Sequence, residues 1–248
     1  MTTEVIEPPA ALVVGDPGAG LRPASRLEAP ADDYFGYDIL LRPSDRSAFY
    51  ERSKRVVDVI VACILLILLS PLILVVSLWI KFTDFGPVFF CQKRVGRNGR
   101  LFNFYKFRSM IPNADDKKHE FAHLSHHGDE RTFKIPDDPR ITRVGRWIRR
   151  FSIDEVPQLW NVVRGDMSLV GPRPPVPREV ELYSRFDRRR FEVRPGLTCF
   201  WQVCGRGNIA FDRQVLMDVE YIDERSLWLD FKLMLLPIPA VFLGRGAY

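Results

Sequence analysis

Residues 59–80, VIVACILLILLSPLILVVSLWI, run for 22 positions without a charge. As a straight helix rising about 1.5 Å per residue, such a run is about 33 Å long and can cross the hydrocarbon core of a bilayer. It is apolar on every face, whereas a helix lying on a soluble core keeps a polar stripe. Insertion into a membrane is therefore expected. Ser70-Pro71 falls in the middle of the run. Pro71 has no amide hydrogen and its ring meets the carbonyl of Ile67, so a kink or break is predicted there. The flanks are basic on both sides, with Arg52, Lys54 and Arg55 before the run and Lys81, Arg94, Arg97 and Arg100 after it. A spanning helix normally leaves its basic flank on the cytoplasmic side alone. Two basic flanks predict a broken, re-entrant helix that returns to the face it left. No second run of comparable length follows, so the rest of the chain is expected on that same cytoplasmic face.

Charge is unevenly spread along the chain. Residues 1–50 carry a net −4 and residues 51–248 a net +9. The basic body calls for an anionic partner: nucleic acid, a phosphate substrate or a membrane surface. No nucleic-acid fold signature is present, and phosphate-rich lipid headgroups account for the same charge. Cys63, Cys91, Cys199 and Cys204 form no C-x-x-C pair, which excludes a secreted disulfide scaffold and suits a reducing compartment. Residues 1–45 hold Pro8, Pro9, Pro17, Pro23, Pro30 and Pro43 without periodicity, and are expected to be a disordered arm. Gly15 and Gly20 have P-loop spacing, but Leu21-Arg22 stand where a Lys and a hydroxyl residue are required. The expected organisation is an arm over 1–45, a membrane-inserted re-entrant helix with its flanks over 46–85, and a catalytic domain over 86–248. The expected fold class is α+β, predominantly helical.

Two further stretches suit an interface. Ile141, Val144, Ile148 and Phe151 recur at helical spacing, opposite Arg140, Arg143, Arg146 and Arg149; this predicts a basic amphipathic helix on an anionic leaflet. Leu227–Leu243 is apolar but interrupted by Asp230, Lys232, Pro237 and Pro239, which predicts a surface-docked segment rather than a span.

Two constellations could carry chemistry. His119-Glu120-Phe-Ala-His123 is a literal H-E-x-x-H, the pattern that places two imidazoles for zinc with a glutamate base. It would make the protein a membrane-bound zinc hydrolase. Its surroundings are polar, however, with only Phe121 and Leu124 as large apolar anchors, whereas a hydrolytic zinc site needs a packed and supported helix. The second is Ser152-Ile-Asp154-Glu155-Val-Pro157-Gln-Leu-Trp-Asn-Val-Val-Arg-Gly165. Ser152 and Glu155 have capping-box spacing, Asp154 is an equally good N-cap, and Gly165 is placed to end the helix. Capping accounts for one carboxylate well and for two adjacent ones less well. Arg146, Arg149 and Arg150 precede the pair, and Asp166 and Gly171-Pro-Arg173-Pro-Pro follow it. Carboxylates ringed by cations suit phosphoryl chemistry, with attack by a carboxylate or magnesium binding. A non-catalytic membrane scaffold would leave the Asp154-Glu155 pair unexplained.

The same blocks carry a family resemblance. Lys54-Arg-Val-Val-Asp58, Ser70-Pro71, Gly86-Pro-Val-Phe-Phe, Gln92-Lys-Arg-Val-Gly96, Tyr105-Lys-Phe-Arg-Ser-Met110 and Asp138-Pro-Arg-Ile-Thr-Arg-Val-Gly145 come in order. Asp154-Glu-Val-Pro-Gln-Leu-Trp-Asn161, Gly165-Asp-Met-Ser-Leu-Val-Gly-Pro-Arg-Pro174 and Arg194-Pro-Gly196 complete the series. Together they resemble the bacterial sugar transferases, the monotopic phosphoglycosyl transferases also called polyprenyl-phosphate hexose-1-phosphate transferases, over about residues 50–248. The resemblance implies transfer of a sugar-1-phosphate from a UDP-sugar to a polyprenyl (undecaprenyl) phosphate, with release of UMP, at the cytoplasmic face of the bacterial inner membrane. It implies Asp154 as nucleophile and Glu155 as its partner. Magnesium would bridge the diphosphate and a carboxylate, Asp154. Lys106, Arg149 and Arg173 map onto the family's basic phosphate-binding positions. Trp201-Gln-Val-Cys-Gly-Arg206 resembles the longer hexose-1-phosphate branch, with Cys204 where Ser is common. The lipid bilayer is the expected partner, nucleic acid is not, and a homo-oligomer is left open.

Overall fold

The computed structural model describes residues 48–114, 135, 138–204 and 209–236. The expected arm over 1–45 and the His119-Glu120-His123 motif lie outside these residues, as does the chain after Leu236.

The apolar run forms two helices, α1 (Ala48–Leu68) and α2 (Ser70–Asp84), bent by 60°. Pro71 stands at the start of α2, where its missing N–H breaks no helical bond. The freed carbonyl of Ile67 accepts from the Ser70 hydroxyl at 2.8 Å. No single described helix is long and apolar enough to cross a membrane, but the bent pair is, by length and composition. Along it, Ile60, Ile64, Ile67, Leu68, Leu74, Val75 and Leu78 are exposed.

A hairpin follows. Strands β1 (Phe89–Val95) and β2 (Leu101–Phe107) pair antiparallel, from Phe89 opposite Phe107 to Val95 opposite Leu101. Next come α3 (Arg143–Arg150), a 3-10 turn over Ile153–Glu155, and α4 (Gln158–Arg164). Strand β3 (Ser168–Val170) pairs parallel with β4 (Gly196–Thr198), and α5 (Pro177–Glu181) and a 3-10 segment over Asp187–Glu192 lie between them. Helices α6 (Phe200–Cys204), α7 (Phe211–Glu224) and α8 (Leu227–Leu235) are the last described elements. The architecture is mixed α+β and mostly helical.

The core ties the apolar pair to everything else. Ala62 of α1 is buried with Phe102 and Phe104 of β2, Leu159 and Val162 of α4, Leu169 of β3, Tyr221 of α7 and Leu233 of α8. Val76 and Ile80 of α2 pack with Phe107, Val144 and Ile148. Glycine permits the tightest approach: a Cβ on Gly145 would lie 1.8 Å from the Ser109 carbonyl oxygen, so α3 could not sit against the end of β2 with any other residue there.

Several expectations need correction. Arg140 and Ile141 do not belong to the amphipathic helix, which starts at Arg143 with Thr142 as its cap. Ile141 instead bridges to Met110. Arg140 is buried, gripping Asp138 with both edges of its guanidinium (2.9 and 2.6 Å) and donating to the Ala114 carbonyl. An Asp two residues before an Arg in a turn satisfies it locally, and helical spacing alone does not reveal this. Residues Arg143, Arg146, Trp147 and Arg150 do form an exposed basic and aromatic face. The basic flanks are largely tied up in tertiary contacts. Lys54 Nζ donates to Asp230 at 2.8 Å, and Arg55 holds the Val162 and Val163 carbonyls at the end of α4. Arg97 lies 3.7 Å from Glu51 at the start of α1. In the segment from Leu227, Asp230 and Leu233 are buried while Trp228, Phe231, Leu235 and Leu236 are exposed, so α8 is half core and half apolar surface.

Candidate active site

The dyad does not cap a helix. Ser152 takes a left-handed conformation (φ 55°) with no side-chain cap bond, and Asp154 and Glu155 lie in the 3-10 turn, before Pro157 caps α4. A non-glycine residue at positive φ costs about 1 kcal/mol or more. Here it turns the chain sharply out of α3, which carries Arg149, and brings the two carboxylates under β2. Gly165, at φ 93°, ends α4 as its position suggests.

Strand alternation puts Lys106 on the same side of β2 as Phe102 and Phe104. Its ammonium sits 5.5 Å from the Phe104 ring centroid. From there it reaches both carboxylates, with Nζ 3.1 Å from Glu155 Oε1 and 3.7 Å from Asp154 Oδ2. Arg173 Nη1 lies 3.6 Å from the same Glu155 oxygen. Arg149, on the last turn of α3, adds positive potential at both Asp154 and Asp138. Lys106, Asp154, Glu155 and Arg173 thus meet within 4 Å of one another in a chain of ion pairs, and Arg149 contributes charge from the neighbouring helix.

The two carboxylates are driven apart electrostatically. Burial raises the Asp154 pKa above the ordinary aspartate value, with the Glu155 charge adding to the rise and Lys106 opposing it. Burial acts the same way on Glu155, but Lys106, Arg173 and Arg94 together outweigh it and hold Glu155 below its ordinary value. Glu155 is therefore the resident anion of the pair, and Asp154, only 7% exposed, is the carboxylate whose charge must be stabilised from outside.

The donor set bears on magnesium. Among the described residues no three His, Cys, Asp or Glu side chains cluster as metal ligands. Mg²⁺ usually takes one or two carboxylates together with substrate phosphates and water, and the Asp154 carboxylate, met by Lys106 only at 3.7 Å, fits that demand.

Sequence reasoning did not single out Arg94, Asn161 or Arg190. Arg94 reaches across from β1 and donates to the Pro174 carbonyl at 2.6 Å. Fully buried Asn161 on α4 bonds the backbone of β2. Arg190 is buried beneath Arg173. Arg94 and Asn161 do lie inside quoted motif blocks, which was the available signal; Arg190 lies in none.

A bent apolar helix pair, packed on a domain whose carboxylate dyad is surrounded by cations, has the makings of a site for phosphate chemistry. Comparison with known proteins makes this specific: residues 49–244 match the bacterial sugar transferase family, and the chain belongs to it. It is 52% identical over 166 residues to the galactosyl transferase CpsE of Streptococcus agalactiae serotype III, covering 66% of this chain and 36% of CpsE. It is 44% identical over 199 residues to the exopolysaccharide production protein ExoY of Sinorhizobium fredii, covering 79% of this chain and 88% of ExoY. It is 42% identical over 199 residues to the undecaprenyl-phosphate galactose phosphotransferase of Salmonella typhimurium, covering 79% of this chain and 41% of that protein.

Proposed function

We propose that the protein transfers a hexose-1-phosphate from a UDP-sugar to a polyprenyl phosphate, releases UMP, and so begins assembly of an exopolysaccharide or related glycoconjugate. The observation that carries this reading is the Asp154-Glu155 dyad held beneath Lys106 and Arg173 in a sugar transferase chain.

Asp154 is the nucleophile. Its carboxylate oxygen attacks the sugar-bearing phosphorus, the bridging P–O bond to UMP breaks, and UMP leaves with that electron pair. The phosphosugar is then held on Asp154 as an acyl phosphate. An oxygen of the lipid phosphate next attacks the same phosphorus, the bond to Asp154 breaks, and the carboxylate returns. Lys106, Arg149 and Arg173 bind the diphosphate and draw charge from its oxygens. Glu155, held ionised by its cations, orients Lys106 and Arg173 and assists proton transfer. Asp154 would hold a magnesium ion, which when bound would supply positive charge against the repulsion between anionic donor and carboxylate.

The acceptor cannot leave its membrane, because each buried methylene of its tail contributes about 0.8 kcal/mol of anchoring. The bent pair answers this as a re-entrant helix on the cytoplasmic face. Glu51 and Lys54 at the start of α1 pair with Arg97 and Asp230, while Val76 and Ile80 of α2 pack on α3 and β2. Both ends of the pair touch one domain, which a spanning arrangement would separate.

The test is single turnover without acceptor. Purified protein given Mg²⁺ and UDP-sugar labelled in the sugar should release UMP and retain label on Asp154. Asp154→Asn should abolish both. UMP release that strictly requires polyprenyl phosphate would favour direct transfer and overturn the covalent route.

A further inference from the structure

We infer that Arg94 and Arg190 are positioning residues that act on the donor diphosphate through Arg173, by holding the proline-rich segment on which Arg173 stands. The inference rests on the proposed role of Arg173 in binding that diphosphate.

The segment Gly171-Pro-Arg-Pro-Pro175 has an unusual hydrogen-bonding problem. Pro172, Pro174 and Pro175 have no N–H, so the segment cannot satisfy its carbonyls by folding on itself. Every carbonyl from 172 to 175 is nonetheless matched, by donors from three separate parts of the fold: β1, β4 and the 3-10 segment over Asp187–Glu192. Pro172 O accepts from Gly196 N of β4 at 2.9 Å, and Pro175 O from Val95 N of β1 at 3.0 Å. The two inner carbonyls take guanidinium donors: Arg173 O accepts from Arg190 Nη2 at 3.4 Å, and Pro174 O from Arg94 Nη1 at 2.6 Å.

Both arginines are themselves fixed. Arg190 is buried, 2.7 Å from Asp218 of α7, and donates to the Tyr183 hydroxyl at 2.8 Å. Arg94 donates to Gln92 Oε1 at 3.2 Å and lies 4.8 Å from the Phe104 ring centroid, on the strand hydrogen-bonded to the one that presents Lys106. The two carbonyls that follow the Arg173 Cα are therefore clamped to the hairpin and, through Arg190, to α7, while the carbonyl before it is held by β4. The clamp sets where the Arg173 guanidinium stands relative to Glu155, 3.6 Å away. Lysine keeps the charge but gathers its donors on a single nitrogen at the end of a flexible stem, so it does not reproduce the planar fork that spans the carbonyl and a second partner.

The test is a double-substitution cycle on the full chain in nanodiscs, reading the KM for UDP-sugar and the rate of UMP release at saturation. Arg173→Ala should raise KM. Arg94→Lys should raise KM about tenfold with a much smaller change in saturated rate, the loss expected when a charge-assisted contact to substrate is misplaced. On the Arg173→Ala background Arg94→Lys should cost less than about twofold, because residues acting through one another are not additive. Arg190→Lys should follow the same pattern; thermal melting identifies a variant that has simply lost its fold, and the Arg94 cycle stands without it. A full tenfold effect of Arg94→Lys on the Arg173→Ala background would overturn the inference, since Arg94 would then act on the donor directly. An unchanged KM in Arg94→Lys beside a raised one in Arg173→Ala would overturn it too. Labelling of Asp154 without acceptor reports separately on the transfer reaction, so failure of the clamp and failure of the mechanism are distinguishable.

Discussion

The side-chain amide of Asn161 bonds the backbone of Tyr105 as a neighbouring strand would: Oδ1 accepts from Tyr105 N at 3.2 Å, and Nδ2 donates to the Asn103 carbonyl at 2.6 Å. Asn161 lies on α4, seven residues after Asp154, and Tyr105 directly precedes Lys106. One fully buried amide thus ties the helix behind the dyad to the strand that carries the cation over it.

Asn161→Ala should be destabilising and should impair catalysis together. It leaves the half-buried Tyr105 N–H and Asn103 C=O without their partner, a loss of up to about 1–3 kcal/mol for each group that water does not reach. Thermal or denaturant melting in nanodiscs should show the loss, and UMP release should fall by more than the folded fraction does, because Lys106 loses its register against Glu155. Wild-type stability would show that water or a repacked neighbour replaces the amide.

A different trade-off is expected at Asp154. Its pKa is raised in the folded protein by burial and by Glu155. A group raised on folding contributes stability below its ordinary pKa, and that contribution is lost as pH rises through the folded value. At neutral pH the ionised Asp154 is therefore a burden on the fold. Asp154→Asn should abolish transfer and raise the melting temperature at pH 7, with the gain shrinking at acid pH. A lower melting temperature at pH 7 would show that the carboxylate is held by contacts the electrostatics do not capture.

The same shift fixes the direction of the pH profile. On the proposed mechanism attack needs ionised Asp154, so the acid limb of kcat/KM, which reports the free enzyme, should lie above the ordinary carboxylate range. Lys106 is the strongest influence lowering that pKa. Lys106→Met should reduce activity and move the acid limb to still higher pH. A limb that stays in place would mean that another group governs it.

The dyad, the arginines near it and the helix break were legible in local sequence, as adjacent carboxylates, flanking basic residues and a proline inside an apolar run, whereas Lys106 entered only through the family resemblance. What misled was also local. Ser152 has capping-box spacing to Glu155 but spends itself on a left-handed turn, and Arg140 has amphipathic spacing but is satisfied by Asp138 two residues away. Arg190 and Asn161 could not be assigned roles because their partners are distant in the chain. Periodicity says nothing about which carbonyl a guanidinium will meet.

The bend between α1 and α2 gives a topological prediction. Cysteines introduced at Arg52 and Phe85, both exposed near the outer ends of the pair, should react with a membrane-impermeant maleimide from the same side of sealed vesicles in a background without Cys91. Labelling from opposite sides would exclude the re-entrant arrangement. Pro71→Leu restores an N–H and removes the ring clash, so it should straighten the pair. Since straightening pulls Val76 and Ile80 away from Val144 and Ile148, activity should fall along with the change in labelling.

The H-E-x-x-H motif supplies the last prediction. His119, Glu120 and His123 lie in a polar stretch between motif blocks, and the carboxylates and cations that suit phosphoryl transfer are assembled elsewhere, on β2, α3, the 3-10 turn and the loop after β3. A zinc hydrolase would need both imidazoles on one supported helix face, and their replacement would remove the metal and the reaction together. A sugar transferase working through Asp154 has no use for them. The double substitution His119→Ala/His123→Ala should therefore retain near-normal magnesium-dependent UMP release, and a zinc-selective chelator should leave the wild-type rate unchanged while Mg²⁺ is supplied. Loss of activity by orders of magnitude in a double variant that melts like wild type would reverse this assignment and place a metal ligand at the motif.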